Sequence, residues 1–532
     1  MATTLAFKAG IDVPMWRPLG VSFSASGSGA CLAWDMRNSV DASPFIWDFP
    51  SATAMQRYLR ANRGWVQLAA ITAVGGAFGA GAGAIFCPSH GPAGTVGATH
   101  TATAITLAAL PNSATVGINQ LANRGDGLGF KLRVKDNGAG GTGKTEETYI
   151  VANTAGATPV VTLFPALTFT PTAAATYEML SGRLYLLGAG TTAAGYWMAY
   201  DVATEKLSGQ LATTNLAATI STDFCAVMLD ELYVPTTANP GEGMVLGGAT
   251  YSNGALKCIQ GTAADGTHIT GSGMPADLQA SEFINYQIRV VEDGTTPTAV
   301  GQRRDITAHT GGATGQFTVA TWAVTPSSSA KFVVEQNGDL LLWTATNTVT
   351  YSYAAGGYAA DANWSTAGAS GGARQYANPP AAMAAGVQAE ACFGLTVDSA
   401  HNRRNSHVWW IKGATVYYLD IANGANGTWT ASLTFSGTPG TPLASGASSA
   451  YDPATNGGKY LYIDHNGTQR YLRFDMLDGV LEPWTFLPFT EGTIIVGGKL
   501  AIGLFIDGAT KIANLYHLRH TATEFFDIVL QR

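Results

Sequence analysis

Charge is what this sequence has least of. Its 29 Lys+Arg and 36 Asp+Glu amount to 12% of 532 residues, about half the roughly 25% of ordinary soluble proteins. The net charge of −7 and the lack of any long Lys/Arg run exclude a protein that grips nucleic acid by its phosphates. Cysteine is scarce too. Cys31, Cys87, Cys225, Cys258 and Cys392 are odd in number, scattered and without a C-x-x-C pair, which argues against a disulfide framework and a structural zinc site and fits folding in a reducing cytosol. The opening MATTLAFKAGID lacks a basic stretch followed by an apolar one, so no secretory leader is expected. Residues 66–87 carry no charge, yet Gly75, Gly76, Gly79, Gly81 and Gly83 crowd them. Glycine at that density disfavours a membrane-spanning helix, and the segment reads as a linker.

Helical periodicity is nearly missing as well. Only residues 51–62 carry it, with Arg57, Arg60 and Arg63 spaced for one solvated helix face beside Trp47, Tyr58 and Trp65. What fills the chain instead is strand signal: short runs of Val, Ile, Tyr, Trp, Phe and Thr between Gly, Asn and Asp turns. With 46% hydrophobic residues the chain can build a substantial core, so wholesale disorder is excluded.

Two repeats organise these strands. RLYLLGAGTTAAGYWMAYD, VWWIKGATVYYLD and KYLYIDHNGTQRYLRFD each give an aromatic strand, a tight turn and a second strand ending in Asp201, Asp420 or Asp475. Trp429-Thr430 and Trp484-Thr485 follow the last two aspartates at the same spacing, an offset of 55. A period near 50 with paired strands and a Trp marks kelch-type propeller blades, which bury one another around a ring. Weaker blade-like segments lie at 43–68, 225–251, 339–364 and 494–530, making six or seven blades, with the two chain ends pairing to close the ring. The second repeat is longer. FKLRVKDNG at 130–138 matches YQIRVVEDG at 286–294, an offset of 156 that also relates Ile150 to Ile306 and Gly182 to Gly338.

The expected fold is therefore all-β, a β-propeller of six or seven kelch-like blades interrupted by two related small β-domains. Its division is a first propeller segment and linker at 1–87, inserted domain 1 at 88–180, a propeller segment at 181–256, inserted domain 2 at 257–337, and a closing propeller segment at 338–532.

Catalytic chemistry finds no footing. Residues 138–145 spell G-x-x-x-x-G-K-[ST], but a phosphate-binding loop needs a helix behind it. Thr145-Glu-Glu-Thr-Tyr-Ile-Val reads as another strand, so the segment reads as a glycine-rich hairpin loop rather than an ATPase site. His90, His100, His268, His309, His401, His407, His465, His517 and His520 form no H-E-x-x-H, and no metal site is assigned. ANGANGTWT at 422–430 keeps only part of a sialidase-type Asp-box. Arg303, Arg304, Arg403 and Arg404 read as loop charges. No catalytic, cofactor-binding or metal-binding residue is nominated.

GAFGAGAGAIF, NQLANRGDGLGFKLRV at 119–134, GGTGKTEETYIVANTAGATP, and FTPTAAATYEMLSGRLYLLG together resemble virion proteins of tailed bacteriophages. Blades interrupted by small β-insertions resemble in particular the tail nozzle proteins, tail tubular protein B type, of short-tailed phages. That resemblance implies a homo-oligomeric ring, a hexamer, in the virion tail. The ring would sit below the portal and adaptor with tail fibres or spikes alongside, pass double-stranded DNA through its lumen, and carry out no catalysis. It also implies assembly in the host cytoplasm without cofactors. Low charge suits assembly interfaces, and net negative charge suits a conduit through which DNA slides. Two alternatives stand beside it: a receptor- or carbohydrate-binding propeller with Trp409 or Trp484 stacking on sugar, and a propeller hydrolase.

Overall fold

The computed structural model describes residues 16–23, 31–35, 43–50, 54–68, 83–87, 91–136, 140–142, 144–188, 196–208, 224–228, 250–252, 255–257, 259–272, 280, 286–300, 302–312, 314–336, 339–344, 350–354, 373–376, 392–398, 403–412, 415–420, 429–434, 448–452, 460–465, 470–476, 478–486, 499–507, 510–519 and 524–530. Among them every regular element is a strand, apart from the 3-10 turns Pro111–Ser113 and Pro297–Ala299.

Six four-stranded antiparallel sheets form a β-propeller. Blade 1 holds Cys31–Trp34, Phe45–Phe49, Gln56–Leu59 and Gly64–Gln67, from inside outward. Blade 2 holds Gly83–Cys87, Arg183–Gly188, Tyr196–Asp201 and Lys206–Leu207; blade 3 holds Phe224–Met228, Asp339–Thr344, Thr350–Ala354 and Ala373–Tyr376. Blade 4 runs from Cys392–Asp398 through Arg403–Lys412 and Thr415–Asp420 to Trp429–Thr434. Blade 5 runs from Ser449–Asp452 through Tyr460–Asp464 and Arg470–Asp475 to Val480–Phe486. Blade 6 holds Lys499–Asp507, Thr510–Leu518 and Phe525–Val529, and its outermost strand is Arg17–Pro18 from the other end of the chain. The innermost strands touch in order around the circle, with that of blade 6 against that of blade 1. The ring is thus closed, as the pairing of chain ends predicts. The Arg17 guanidinium donates from Nε at 2.9 Å and from Nη2 at 2.6 Å to the Asp527 carboxylate.

Alternation within each strand sends one set of side chains to each neighbouring blade. Leu32, Ile46 and Tyr58 of blade 1 pack with Ala501, Tyr516, Leu518 and Phe525 of blade 6. On its other side, Trp47 stacks on Phe86 of blade 2 at 4.9 Å. Trp409 of blade 4 packs with Leu461, Leu472 and Phe474 of blade 5. No blade could bury both faces alone, so the ring is what makes each sheet stable.

Both insertions are closed six-stranded barrels. Barrel 1 comprises Ala93–His100, Ala104–Leu107, Lys131–Lys135, Thr145–Asn153, Val160–Phe164 and Thr176–Met179; barrel 2 comprises Ile259–Ala264, His268–Ser272, Tyr286–Glu292, Arg303–His309, Thr314–Val319 and Lys331–Gln336. Numbered along the chain, the strands of each follow the same cyclic order, 1-2-5-4-3-6. Each barrel leaves its blade after the innermost strand and returns at the second strand, barrel 1 in blade 2 and barrel 2 in blade 3. The duplicated unit is therefore a blade with a barrel set into it. A two-stranded hairpin, Thr250–Ser252 with Ala255–Lys257, precedes barrel 2.

Several sequence expectations are corrected. Residues 225–251 and 339–364 are not two blades: Phe224–Met228 pairs with Asp339–Thr344 in one blade that barrel 2 splits. Residues 51–62 hold no helix among the described ones. Gln56–Leu59 is a strand because Tyr58 is buried against Trp65 and Phe525, and a strand, not a helix, presents it to both. Arg57, Arg60 and Arg63 share no helix face: Arg57 lies in the strand, Arg60 is buried in the turn, and Arg63 has φ 55°. The end of the supposed linker, Gly83–Cys87, is the innermost strand of blade 2. Arg303, Arg304, Arg403 and Arg404 open strands rather than sit in loops.

Candidate functional site

The block at 119–134 forms an arch that seats barrel 1 on the propeller. Asn123 Oδ1 accepts the Gly125 N–H and Asp126 Oδ1 accepts the Leu128 N–H, two Asx turns in succession. Gly125, at φ +99°, lies so near blade 1 that a Cβ there would stand 3.2 Å from Leu59 and 3.3 Å from Phe45. The Gln120 amide donates to the Ala203 carbonyl in blade 2 at 2.9 Å. Behind the arch, the barrel 1 interior (Ile105, Leu132, Ile150, Val161) and Phe45, Trp47, Leu184 and Met198 of blades 1 and 2 make one continuous core. Barrel 1 is thereby fixed to the ring.

Its outer surface carries an ion-pair ladder across three strands. Arg133 stands directly opposite Glu147 on one side and Glu178 on the other. Its guanidinium binds both, at 2.7 and 3.1 Å. Lys135 binds Glu178 at 2.9 Å, and Lys131 lies 3.5 Å from Glu147. Burial pushes the Glu147 carboxyl up, but Arg133, Lys131 and Arg289 outweigh it and hold it below the usual range. Arg289 is the barrel 2 counterpart of Arg133, and it is buried as well. Two residues beyond Glu147, Tyr149 stands opposite Phe164, which is 69% exposed, beside the half-exposed Val151. Each barrel has a bulge at this point, after Ile150 and after Ile306. Barrel 2 carries Asp305, Thr307 and Ala320 where barrel 1 has Tyr149, Val151 and Phe164. The same fold thus shows an apolar patch in one copy and polar or small residues in the other. Comparing the two repeats at these positions, rather than searching for motifs, would have exposed the patch in the sequence.

The motifs set aside on sequence grounds fall as follows. The glycine-rich segment before Thr145 connects two antiparallel strands, Lys131–Lys135 and Thr145–Asn153, so a strand and not a helix follows it. Lys144 Nζ donates to Thr168 Oγ1 at 3.1 Å. His517 is fully buried between blades 5 and 6, with Nδ1 2.6 Å from the Tyr471 hydroxyl. Burial, with Arg519 nearby, pushes its pKa down to about 3, so it stays neutral. His520 and residues 421–428 lie outside the described residues, and among the described residues no cluster of His, Cys, Asp or Glu could hold a metal. Nor is any described helix long and apolar enough to cross a membrane. Trp409, expected on the surface in the sugar-binding alternative, is 2% exposed, and Trp484 is half-buried with its ring 4.6 Å from that of Tyr462.

No family model and no curated protein matches the sequence. Solved structures give distant likeness only. Sqt1 of Saccharomyces cerevisiae aligns over 98% of both chains at 7% identity with a TM-score of 0.31. An auxiliary nutrient binding protein of Bacteroides thetaiotaomicron covers 83% of this chain and 96% of its own at 8% identity and TM-score 0.23. An alpha-L-arabinanase of Penicillium chrysogenum, solved with arabinobiose, covers 66% and 90% at 10% identity and TM-score 0.21. Likeness at this level carries no argument about function. The propeller stands on its own strand pairing.

Proposed function

We propose that this chain is a structural component of a bacteriophage tail, the nozzle ring that forms the distal DNA-ejection channel below the portal and adaptor. The observation that carries the reading is that the phage-like block at 119–134 is the arch that locks an inserted barrel onto a propeller blade. The resemblance therefore falls on the joint that defines the interrupted propeller, rather than on an incidental loop. The ladder of Arg133, Glu147 and Glu178 on the outer surface of barrel 1 and the apolar patch around Phe164 suit a part built for contact rather than for turnover. Low charge overall and a net charge of −7 suit a ring through which DNA slides without sequence-specific binding. The reading assigns no cofactor and no catalysis. The sugar-binding alternative loses its principal residue, since Trp409 is sealed in the interface between blades 4 and 5.

Quantitative mass spectrometry of gradient-purified particles, with the portal as the internal standard, tests the proposal. About six copies per particle is the expected result for one cyclic ring. Absence from the particle, or copies in the hundreds, refutes the nozzle assignment.

A further inference from the structure

One buried carboxyl in blade 1 is tied, through a single side chain, to the surface segment that crosses from blade 6 to blade 1. Asp48 is wholly buried in Phe45–Phe49, on the sheet face turned toward blade 6. Its Oδ2 accepts the Gln56 Nε2 at 2.5 Å, and its Oδ1 has no hydrogen-bond donor in bonding geometry among the described residues. Gln56, itself 2% exposed, uses its other amide atom on the strap: Oε1 accepts the backbone N–H of Phe23 at 2.9 Å. The strap is fastened elsewhere too, among other contacts by the Leu19 N–H to the Phe525 carbonyl at 2.8 Å and Trp65 Nε1 to the Gly20 carbonyl at 3.3 Å, and Ser22 within it is buried. Between and beyond them Val21 and Phe23 are 65% and 58% exposed.

A side-chain amide has one donor end and one acceptor end. An ionised Asp48 can only accept, so it draws the NH2 end of Gln56 inward and turns the Oε1 end out toward the strap. A protonated Asp48 must place its proton. Oδ1 makes no hydrogen bond among the described residues, so a proton there is left unsatisfied, and a buried unsatisfied donor is costly. On Oδ2 it is satisfied only if Gln56 turns over. The NH2 end then faces the Phe23 N–H, donor against donor, and the strap loses its anchor.

We infer that Asp48 and Gln56 form a proton-operated latch that holds the Phe23 end of the strap at 19–23 on blade 1 when Asp48 is ionised and releases that end when Asp48 is protonated. The inference rests on this geometry and is independent of the tail assignment. Burial pushes the Asp48 carboxyl up to about 7, against the Gln56 amide and the Phe49 N–H, which favour the charged form. The latch thus operates near neutrality. Among the described residues, blade 1 also holds Tyr58 on the same face and the buried Asp35, which accepts the Ser43 N–H. Arg57 turns to the opposite face, over the Phe45 ring and onto Glu205. Arg60 is bonded to the Ser43 and Pro44 carbonyls. Blade 6 brings Tyr516, the Arg17–Asp527 pair, and Lys499 two residues before Ala501. Leu32, Asp48's partner on the inner strand, is apolar, and the strap at 19–23 carries no charge.

The test is peptide-resolved hydrogen exchange of the Phe23 region in the full chain, corrected for intrinsic rate, at about pH 8.5 and about pH 5.5. The wild type should exchange at least about tenfold faster at the acid pH. Asp48→Asn, which cannot ionise and sets an NH2 donor where the protonated acid sets its O–H, should be fast at both. Gln56→Ala, which lacks the anchor, should be fast at both. A wild type with equal rates at the two pH values, or a Gln56→Ala variant that retains the acid acceleration, overturns the inference. The latter comparison stands even if Asp48→Asn does not fold.

Discussion

Arg183 is the place where the buried electrostatics of this protein can be measured most directly. It opens the second strand of blade 2, just after barrel 1 rejoins the ring, and is 1% exposed. Its Nε donates to Asp201 Oδ1 at 2.9 Å, its Nη1 to the Tyr185 hydroxyl at 3.3 Å and its Nη2 to the Gly91 carbonyl at 3.1 Å. At that ion-pair distance the gross attraction is about 6 kcal/mol for an effective dielectric near 20. Desolvation of both ions offsets much of it. Arg183→Met removes the cation and leaves a buried carboxylate, which costs about 3–5 kcal/mol. Arg183→Met with Asp201→Leu removes both charges and should recover all but about 1–2 kcal/mol, the remainder reflecting the lost bonds to Gly91 and Tyr185. Denaturant melts of the wild type, both single variants and the double variant give the coupling energy. The pH dependence supplies a second check. Burial raises the Asp201 carboxyl even with Arg183 beside it, and without Arg183 it rises further. A carboxyl raised in the folded state favours folding below its unfolded pKa and loses that contribution as pH climbs through its folded pKa. The Arg183→Met deficit should therefore be larger at about pH 8 than at about pH 5. A single variant within about 1 kcal/mol of wild type, or a double variant no better than the single, would refute the reasoning.

Two further perturbations probe the barrels. Gly129→Ala places a Cβ 1.7 Å from the Ile150 carbonyl oxygen, so the arch and the fourth strand must separate. It should lose about 3 kcal/mol or more and render barrel 1 protease-sensitive, while Gly127→Ala, which meets only open space at φ +85°, should cost about 1–2 kcal/mol from backbone strain alone. Asp136 accepts the Thr172 N–H and hydroxyl and the Thr142 N–H, and Asp293 accepts the equivalent pair from Ser327 plus the N–H groups of Thr295 and Thr296. Burial pushes both carboxyls up, but these donors outweigh it and hold both below the usual range, so their stabilisation is present above the unfolded pKa and disappears as pH falls through the depressed folded one. Asp136→Asn should cost about 1–3 kcal/mol at neutral pH and progressively less below about pH 4, and an acid melt as steep as wild type would contradict it.

The strands of this protein, their aromatic content and the duplication behind the barrels can be read from residue order, because side-chain alternation and turn residues are local. The blade repeats that share an offset of 55 fold as blades 4 and 5, and the offset of 156 separates two barrels of one topology. The patch around Phe164 becomes legible only where the two repeats are set side by side at their offset of 156, and Asp48 is one acid inside FIWDF. Pairing, by contrast, belongs to the tertiary structure. Whether residues 224–228 start a new blade or complete the one resumed at Asp339 depends on a partner more than a hundred residues away, and local pattern carries no information about that distance. The repeat itself slips for the same reason. FKLRVKDNG places Asp136 against Glu292, yet a bulge between Val290 and Glu292 advances the second copy by one residue, so that Asp293 holds Ser327 as Asp136 holds Thr172. Since side chains alternate with a period of two, that single residue determines which carboxylate turns inward, and only the closed barrel, with its partner strand already in register, selects it.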